Sequence, residues 1–402
     1  MPILKNEVVL KKDWIPPRIV DREEQIKELS YQKEKGFVII YITGLRGTGK
    51  TLVVKKLFLS GKSSFYVNCK EKRIDSTRKF YQHFLQQFIK VEPYWSTTEL
   101  IEKFREIVKK HETFTLVIDE INEVKDVGDL LYQLSYFYAS DPEMEKLRTV
   151  AISNDITLLR ENESRKIDDS VISRIPIKII FPVYTVHDLF EILKVHAEHA
   201  LYEGSYSNED LMKIAKFIHS LGGNARYCKE LLYYIAKHLE EKGISKIENL
   251  PMSFIEKIFW KKVKIKQIKE VLSFQPIDTL LALKAIVSVN FKYYKSLEKW
   301  EKTAWVTKSM SNLREFIKIE PKLSMIYNEY KKIASSYGKE PVSYRTFHEI
   351  VNTLESENLI FKQVISRGRG KGRSTFIHTI YENDLELLEE LSSAIDEILY
   401  EI

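Results

Sequence analysis

Gly44, Gly49, Lys50 and Thr51, in the stretch YITGLRGTGKT, stand at the spacing G-x-x-x-x-G-K-[ST]. Such a spacing serves phosphate chemistry. Glycines let the backbone from Gly44 through Leu45, Arg46, Gly47, Thr48 and Gly49 curl so that its N–H groups converge on a β-phosphate, while the following helix adds the positive end of its dipole. Lys50 then reaches the β- and γ-phosphates, and the Thr51 hydroxyl joins the shell of a magnesium ion. Downstream, TFTLVIDEIN closes an apolar run with Asp119 and Glu120. The first carboxylate suits the magnesium; the second suits a water facing the γ-phosphate, which it would orient or deprotonate. A third run, LRTVAISND, ends on Asn154, a neutral side chain fit to sense the γ-phosphate or align that water. A DE pair also occurs as a solvated strand end, and an Asn as a turn former. Their order after a phosphate loop favours the chemical reading.

Positioning these groups needs a strand, a turn and a helix in sequence. GFVIIYIT is β-branched, aromatic and continuous, as in a strand buried on both faces of a parallel sheet, and KTLVVKKLFL follows with helical spacing. The run ending in Asp119 and Glu120 is expected beside that first strand. STRKFYQHFLQQFI and TTELIEKFREIVKKHE carry apolar residues three and four apart, so helices alternate with strands and the first region is expected to be a doubly wound α/β domain. After PIKIIFPVYTVHDL the pattern turns to helix after helix, which predicts an all-α lid with its boundary near Phe181–Tyr184.

From about Gln275 a third module begins, with helices in IDTLLALKAIVSV, PKLSMIYNEYKKIASSYG and SYRTFHEIVNTLESENLI. FKQVISRGRGKGRSTFIHTI then gives two short β-type runs about a turn rich in Gly and Arg. Three helices and a hairpin predict a winged helix. Lys362, Arg367, Arg369, Lys371 and Arg373, with Gly368 among them, form a basic cluster free of acidic residues, suited to phosphate oxygens or guanine edges. Ser343, Tyr344, Arg345, Thr346 and His348 begin the preceding helix, the end that meets base edges in helix-turn-helix proteins. Residues 298–322 are expected as a long connection, and the acidic, amphipathic end as a closing helix. The expected domains are 1–182, 183–272 and 273–402.

Composition sets limits on all of this. A chain of 402 residues exceeds what one core usually serves. Its net charge of +6 is only mildly basic, so a nucleic-acid surface has to come from local clustering. Two cysteines, Cys69 and Cys228, both in apolar segments, read as buried thiols and exclude a cysteine-based zinc site. No signal-peptide core and no membrane-length apolar window is present, so a cytoplasmic protein is expected.

The order of parts resembles a family: the archaeal replication initiators of the AAA+ class, related to the origin recognition complex large subunit and its cell-division-cycle loading partner. PPRIVDREEQIKEL, the phosphate loop, IDEIN, ISND, FPVYTVHDLFEIL and GGNARYCKELL carry the resemblance. It implies an AAA+ P-loop NTPase with a parallel sheet core, helical lid and C-terminal winged helix, binding ATP or ADP with Mg2+. By position it implies that Pro17, Arg18 and Ile19 pack by the adenine, with Tyr184 also on the nucleotide. Asn154 becomes sensor 1, and Arg226 becomes sensor 2, reaching from the lid to the phosphates. Arg226 is otherwise a solvated arginine near a helix start, where its charge opposes the dipole. Arg174 matches the arginine that acts on a neighbouring subunit's nucleotide; Arg165 is the alternative, and either reads equally as a surface charge. LLRENESRKIDDSVIS occupies the place of a DNA-contacting helical insertion, with Arg160, Arg165 and Lys166 as candidates. Asn122 and His196 depart from the family pattern, which commonly has an acid and an arginine there. The function implied is that of an ATP-dependent initiator that binds double-stranded origin DNA and helps recruit or load the replicative helicase, with slow hydrolysis as a switch, acting at the nucleoid and alongside other initiator subunits. A mobile-element or regulatory DNA-binding ATPase is the alternative; a nucleotide-binding scaffold whose winged helix meets protein is a third.

Overall fold

A computed structural model describes residues 2–11, 14–59, 63–158, 167–273, 275–307, 321–357, 359–366, 373–380 and 384–401, with the side chains at 139, 300–307, 365, 366 and 373 excepted. The chain divides into two compact units, Met1–Met252 and Ser253–Ile402.

In the first unit a 3-10 turn, Glu7–Leu10, precedes α1 (Glu23–Lys35), β1 (Ile39–Thr43), α2 (Lys50–Phe58), β2 (Ser64–Asn68), α3 (Thr77–Leu85), α4 (Thr97–Lys109), β3 (Phe114–Asp119), α5 (Val127–Ser140), β4 (Leu147–Ser153), α6 (Asp169–Ile172) and β5 (Ile177–Ile180). The five strands form one parallel sheet in the order β2-β3-β4-β1-β5. Every residue of β1 is buried, because alternate side chains enter different cores. Ile39 and Tyr41 pack with Phe80, Phe84, Phe104 and Leu130. Ile40 and Ile42 pack with Leu29, Val53 and Phe58. Helices therefore cover both faces of a sheet whose carboxyl ends are left for a ligand. The strand ending in Asp119 is not beside β1: β4 lies between them. Both β3 and β1 pair with β4, which brings its own carboxyl end, Ser153, into line with Thr43.

The all-α part follows as α7 (Val186–Ala200), α8 (Asn208–Ser220) and α9 (Ala225–Glu241). Thr185 opens α7 with a capping box to Asp188, so the helical run starts where FPVYTVHDL places it. Cys69 and Cys228 are both fully buried thiols.

The second unit contains α10 (Met252–Ile258), a π-helical turn at Phe259–Lys264, α11 (Ile265–Leu272), α12 (Ile277–Thr307), α13 (Leu323–Ser336), α14 (Tyr344–Ser356), β6 (Ile360–Ser366), β7 (Arg373–Thr379) and α15 (Leu385–Glu401). The strands pair antiparallel from Ile360↔Thr379 to Ser366↔Arg373, giving the hairpin of a winged helix. One core joins Ile286, Ile326, Phe347, Ile377 and Leu391. Ile265, Ile268 and Leu272 of α11 enter the same core, so this unit starts ahead of residue 273. Helix α12 runs on through Thr307, so the expected connection at 298–322 begins as helix; residues 308–320 lie outside the described set. The acidic closing helix α15 bridges to basic residues of its own unit, with Lys269 at 2.5 Å from Glu397 and Lys261 on Glu386. No described helix is long and apolar enough to cross a membrane.

Candidate functional site: a phosphate loop beneath a helical lid

Beyond Thr43 the chain turns through Gly44, Gly47 and Gly49 with φ of 153°, 80° and 89°. Side-chain-bearing residues rarely adopt these values, and all three positions are also crowded, a Cβ on Gly44 running into the Phe181 carbonyl oxygen. A Cβ on Gly49 would come within 2.6 Å of the Tyr184 hydroxyl, and one on Gly47 would overlap the Asn224 side chain. Helix α2 then starts at Lys50 with Gly49 as N-cap and no side-chain cap, leaving its first-turn N–H groups for an anion.

Lys50 is 5% exposed. Its ammonium donates to the carbonyls of Gly44 at 2.6 Å and Leu45 at 2.8 Å. Burial lowers its pKa to about 8, against the pull of Glu120 and Asp119. A buried cation held by carbonyl dipoles fits a phosphate group, which would supply the compensating charge. Asp119, also buried, accepts three hydrogen bonds: from the Thr51 hydroxyl at 2.8 Å, the Tyr66 hydroxyl at 2.9 Å and the Glu120 N–H at 2.9 Å. The Thr51 and Asp119 oxygens thus already adjoin, the donor set that suits a hard divalent cation. No cluster of three or more metal-ligating side chains exists among the described residues, so water and phosphate oxygens would complete such a shell.

Glu120 has a left-handed backbone, φ 55°, and its carboxylate accepts from the Asn154 amide. Burial raises its pKa, with Arg46 pulling the other way. Asn122, the departure from the family pattern, accepts from the Ser153 hydroxyl and the Asn154 N–H, both at 3.2 Å. It fixes the turn that carries Asn154. Since β4 separates β3 from β1, Asn154 reaches Glu120 from the strand between the loop and the carboxylates.

The helical part meets the loop at the start of α9. The Ala225 N–H donates to the Gly47 carbonyl at 3.2 Å, while Asn224 caps the helix through the Arg226 N–H at 3.0 Å. The Arg226 guanidinium pairs with buried Glu230 at 3.1 Å, one turn on, which offsets its unfavourable place near a helix start. Ile19 is buried against Val53 and Phe181, whereas Pro17 and Arg18 are exposed, with the Pro17 carbonyl accepting from Lys56 at 3.0 Å. Tyr184 is buried beneath Arg22, whose guanidinium lies 3.8 Å from the ring centroid. Arg174 is exposed at the end of α6, over the Tyr132 ring at 5.0 Å, and is not among the residues gathered at the loop. Arg22, Tyr66 and Asn224 were missed by sequence reasoning. Nothing in VDREEQI distinguishes a buried arginine from a solvated one, and Tyr66 sits in a short strand with no motif.

In the second unit Ser343 caps α14, accepting from the Thr346 N–H at 3.2 Å. Tyr344 is 47% exposed with its ring edge-on to Tyr327 at 5.0 Å, and Arg345 is exposed beside Glu349. Lys362 pairs with Glu355 at 2.6 Å and with Asn352, so that member of the basic cluster is tied to α14. Arg160, Arg165, Lys166, Arg367, Gly368, Arg369 and Lys371 lie outside the described residues, and Arg373 is described in its backbone alone.

Comparison with known proteins matches residues 33–154 to the AAA domain family and residues 306–385 to the family described as CDC6, C terminal winged helix domain. The chain is 29% identical to the ORC1-type DNA replication protein 1 of Sulfurisphaera tokodaii over 98% of its own length and 94% of that protein. It is 26% identical to the ORC1-type DNA replication protein of Thermococcus kodakarensis, over 91% and 86%. Among solved structures, the ORC1 protein of Aeropyrum pernix in complex with DNA matches with a TM-score of 0.74 at 21% identity, over 99% of this chain and 98% of that one. Cdc6p from Pyrobaculum aerophilum matches at 0.56 and 19% identity, over 99% of both.

Proposed function

We propose a function from the family to which this chain belongs, the ORC1/Cdc6-type replication initiators of the AAA+ class: an ATP-binding initiator that recognises double-stranded origin DNA and helps recruit or load the replicative helicase. The observation that carries it is the gathering of Lys50, Thr51, Asp119, Glu120 and Asn154 at the carboxyl ends of one parallel sheet, in a chain that also carries a winged helix. The loop amides and Lys50 bind the β- and γ-phosphates, with Ile19, Tyr184 and the Pro17–Arg18 segment on the base side. Thr51 and Asp119 hold Mg2+, which when bound neutralises phosphate charge. Glu120 orients the attacking water and Asn154 holds Glu120 in place, giving a slow hydrolysis that serves as a switch. Arg226 responds to the phosphates from the lid, and Arg174 serves a neighbouring subunit's nucleotide. On the DNA side, Ser343, Tyr344, Arg345 and Thr346 meet the major groove. Arg367, Gly368, Arg369, Lys371 and Arg373 follow the backbone, as do Arg160, Arg165 and Lys166 from the first unit. The protein works at the nucleoid, with other initiator subunits as further partners.

Duplex binding measured against salt tests the reading. Wild-type affinity should fall steeply with ionic strength, and replacing Arg367, Arg369 and Arg373 together by alanine should weaken binding and lower the slope by about 2 to 3. An unchanged slope in the triple variant would remove the wing from the interface.

A further inference from the structure

Arg22 is the largest fully buried side chain among the described residues, at 1% exposure. The turn at Asp21, φ 51°, places both the Asp21 carboxylate, at 2.8 Å, and its carbonyl on one terminal nitrogen of Arg22. The other two donors point in different directions. Nε donates to the Thr48 carbonyl of the phosphate loop at 2.9 Å, and the second terminal nitrogen to the Pro182 carbonyl at 2.7 Å. Pro182 lies between β5 and α7, in the strand-to-lid connection, and the guanidinium plane also covers Tyr184 two residues on. The Tyr184 hydroxyl in turn abuts Gly49, whose lack of a side chain makes the room.

Because a trans peptide points its carbonyl and the next N–H in opposite directions, holding the Thr48 carbonyl on Arg22 turns the Gly49 N–H away from the guanidinium. One rigid, planar fork thus fixes a loop amide and the lid connection together, which a lysine with a single nitrogen cannot do. We propose that Arg22 is a positioning residue that couples the phosphate loop to the lid: displacement of the Thr48–Gly49 peptide by an anion is transmitted through the guanidinium to Pro182–Tyr184 and hence to α7. The proposal rests on the nucleotide reading above and adds to it the route by which the bound state reaches the lid. The contact of Ala225 with Gly47 enters at α9, whereas the Arg22 fork enters at the connection that leads into α7, so replacing Arg22 leaves the α9 contact in place and separates the two routes.

Hydrogen–deuterium exchange of the full chain, with ADP and Mg2+ as the probe, tests it. In the wild type, saturating ADP should slow exchange both at residues 44–58 and at residues 183–200; protection at 44–58 alone overturns the coupling without any variant. In Arg22→Lys, ADP affinity should fall about tenfold or more. At concentrations that restore protection at 44–58, residues 183–200 should still exchange as without ADP. Wild-type protection at 183–200 in that variant refutes the proposal, whatever happens to thermal stability. Tyr184→Leu, which removes the ring beneath the guanidinium, carries the same expectations should Arg22→Lys fail to fold. A wild type with no ADP affinity would sink the nucleotide reading itself, an outcome distinct from intact binding with no response in α7.

Discussion

The Lys50 ammonium sits between the Gly44 and Leu45 carbonyls with its pKa lowered to about 8, and this has a consequence for stability. The unfolded chain keeps the proton up to the ordinary lysine value near ~10.4. Between the two values the unfolded state binds more protons, so stability rises with pH there, and below pH 8 the full penalty of the buried charge remains. Lys50→Met removes that charge. The nucleotide-free variant should therefore unfold at higher urea than the wild type at pH 7, with the gap narrowing as pH climbs from 8 towards 10. The two carbonyls lose a donor in the variant, a cost that does not vary with pH. ADP affinity should drop at least ~100-fold, since the cation that meets the phosphates is gone. A gap independent of pH would show that Lys50 carries no buried-charge penalty. At this scale the local motif was legible, because Gly44 through Thr51 lie within one strand-turn-helix. Contacts such as Arg22 to Thr48, 26 residues apart, and Tyr66 to Asp119, 53 apart, were not, since each depends on how the sheet closes.

On helix α7 the departure at His196 has a structural reason. The imidazole is buried, with Nδ1–H donating to the Ile192 carbonyl at 2.7 Å and Trp14 packed edge-on at 5.2 Å, a niche that leaves no water for an arginine head group. Burial lowers its pKa from 6.5 to about 4. A depressed folded pKa means stability that is whole above pH 6.5 and lost as pH falls through 4, because the unfolded chain takes up the proton first. His196→Phe keeps a ring in the niche and cannot titrate. Urea melts at pH 7 and pH 4.5 should show the variant losing less stability than the wild type, by about 1–3 kcal/mol. Equal losses would mean that His196 is protonated in the folded lid. Among the elements, strand ends were legible where apolar runs stop, and the beginning of the helical part from the change of pattern after PIKIIFPVYTVHDL. Strand order was not, because pairing of β4 between β3 and β1 is set by crossovers. Nor could spacing assign α11 to a core: Ile265, Ile268 and Leu272 mark a helix face without naming what it faces.

Across the whole chain, each unit buries an apolar core of its own: the two faces of the parallel sheet in Met1–Met252, and the helices and hairpin in Ser253–Ile402. Two cores predict two cooperative transitions, and a ligand stabilises only the unit whose folded state binds it. The phosphate loop lies wholly in the first unit, while the α14 start and the β6–β7 hairpin lie in the second. Calorimetry of the full chain should accordingly resolve two transitions. ADP with Mg2+ at a hundredfold excess over Kd should raise the free energy of one by about 2.7 kcal/mol and leave the other within error. A duplex oligonucleotide at low salt should raise the transition that ADP leaves unmoved, and residues 253–402 expressed alone should melt at that second transition. If ADP lifted both transitions equally, or the fragment 253–402 showed no cooperative melt, the two cores would not be separate folding units. The nucleotide would then be acting on the winged helix through shared stability, with no need of a lid that moves.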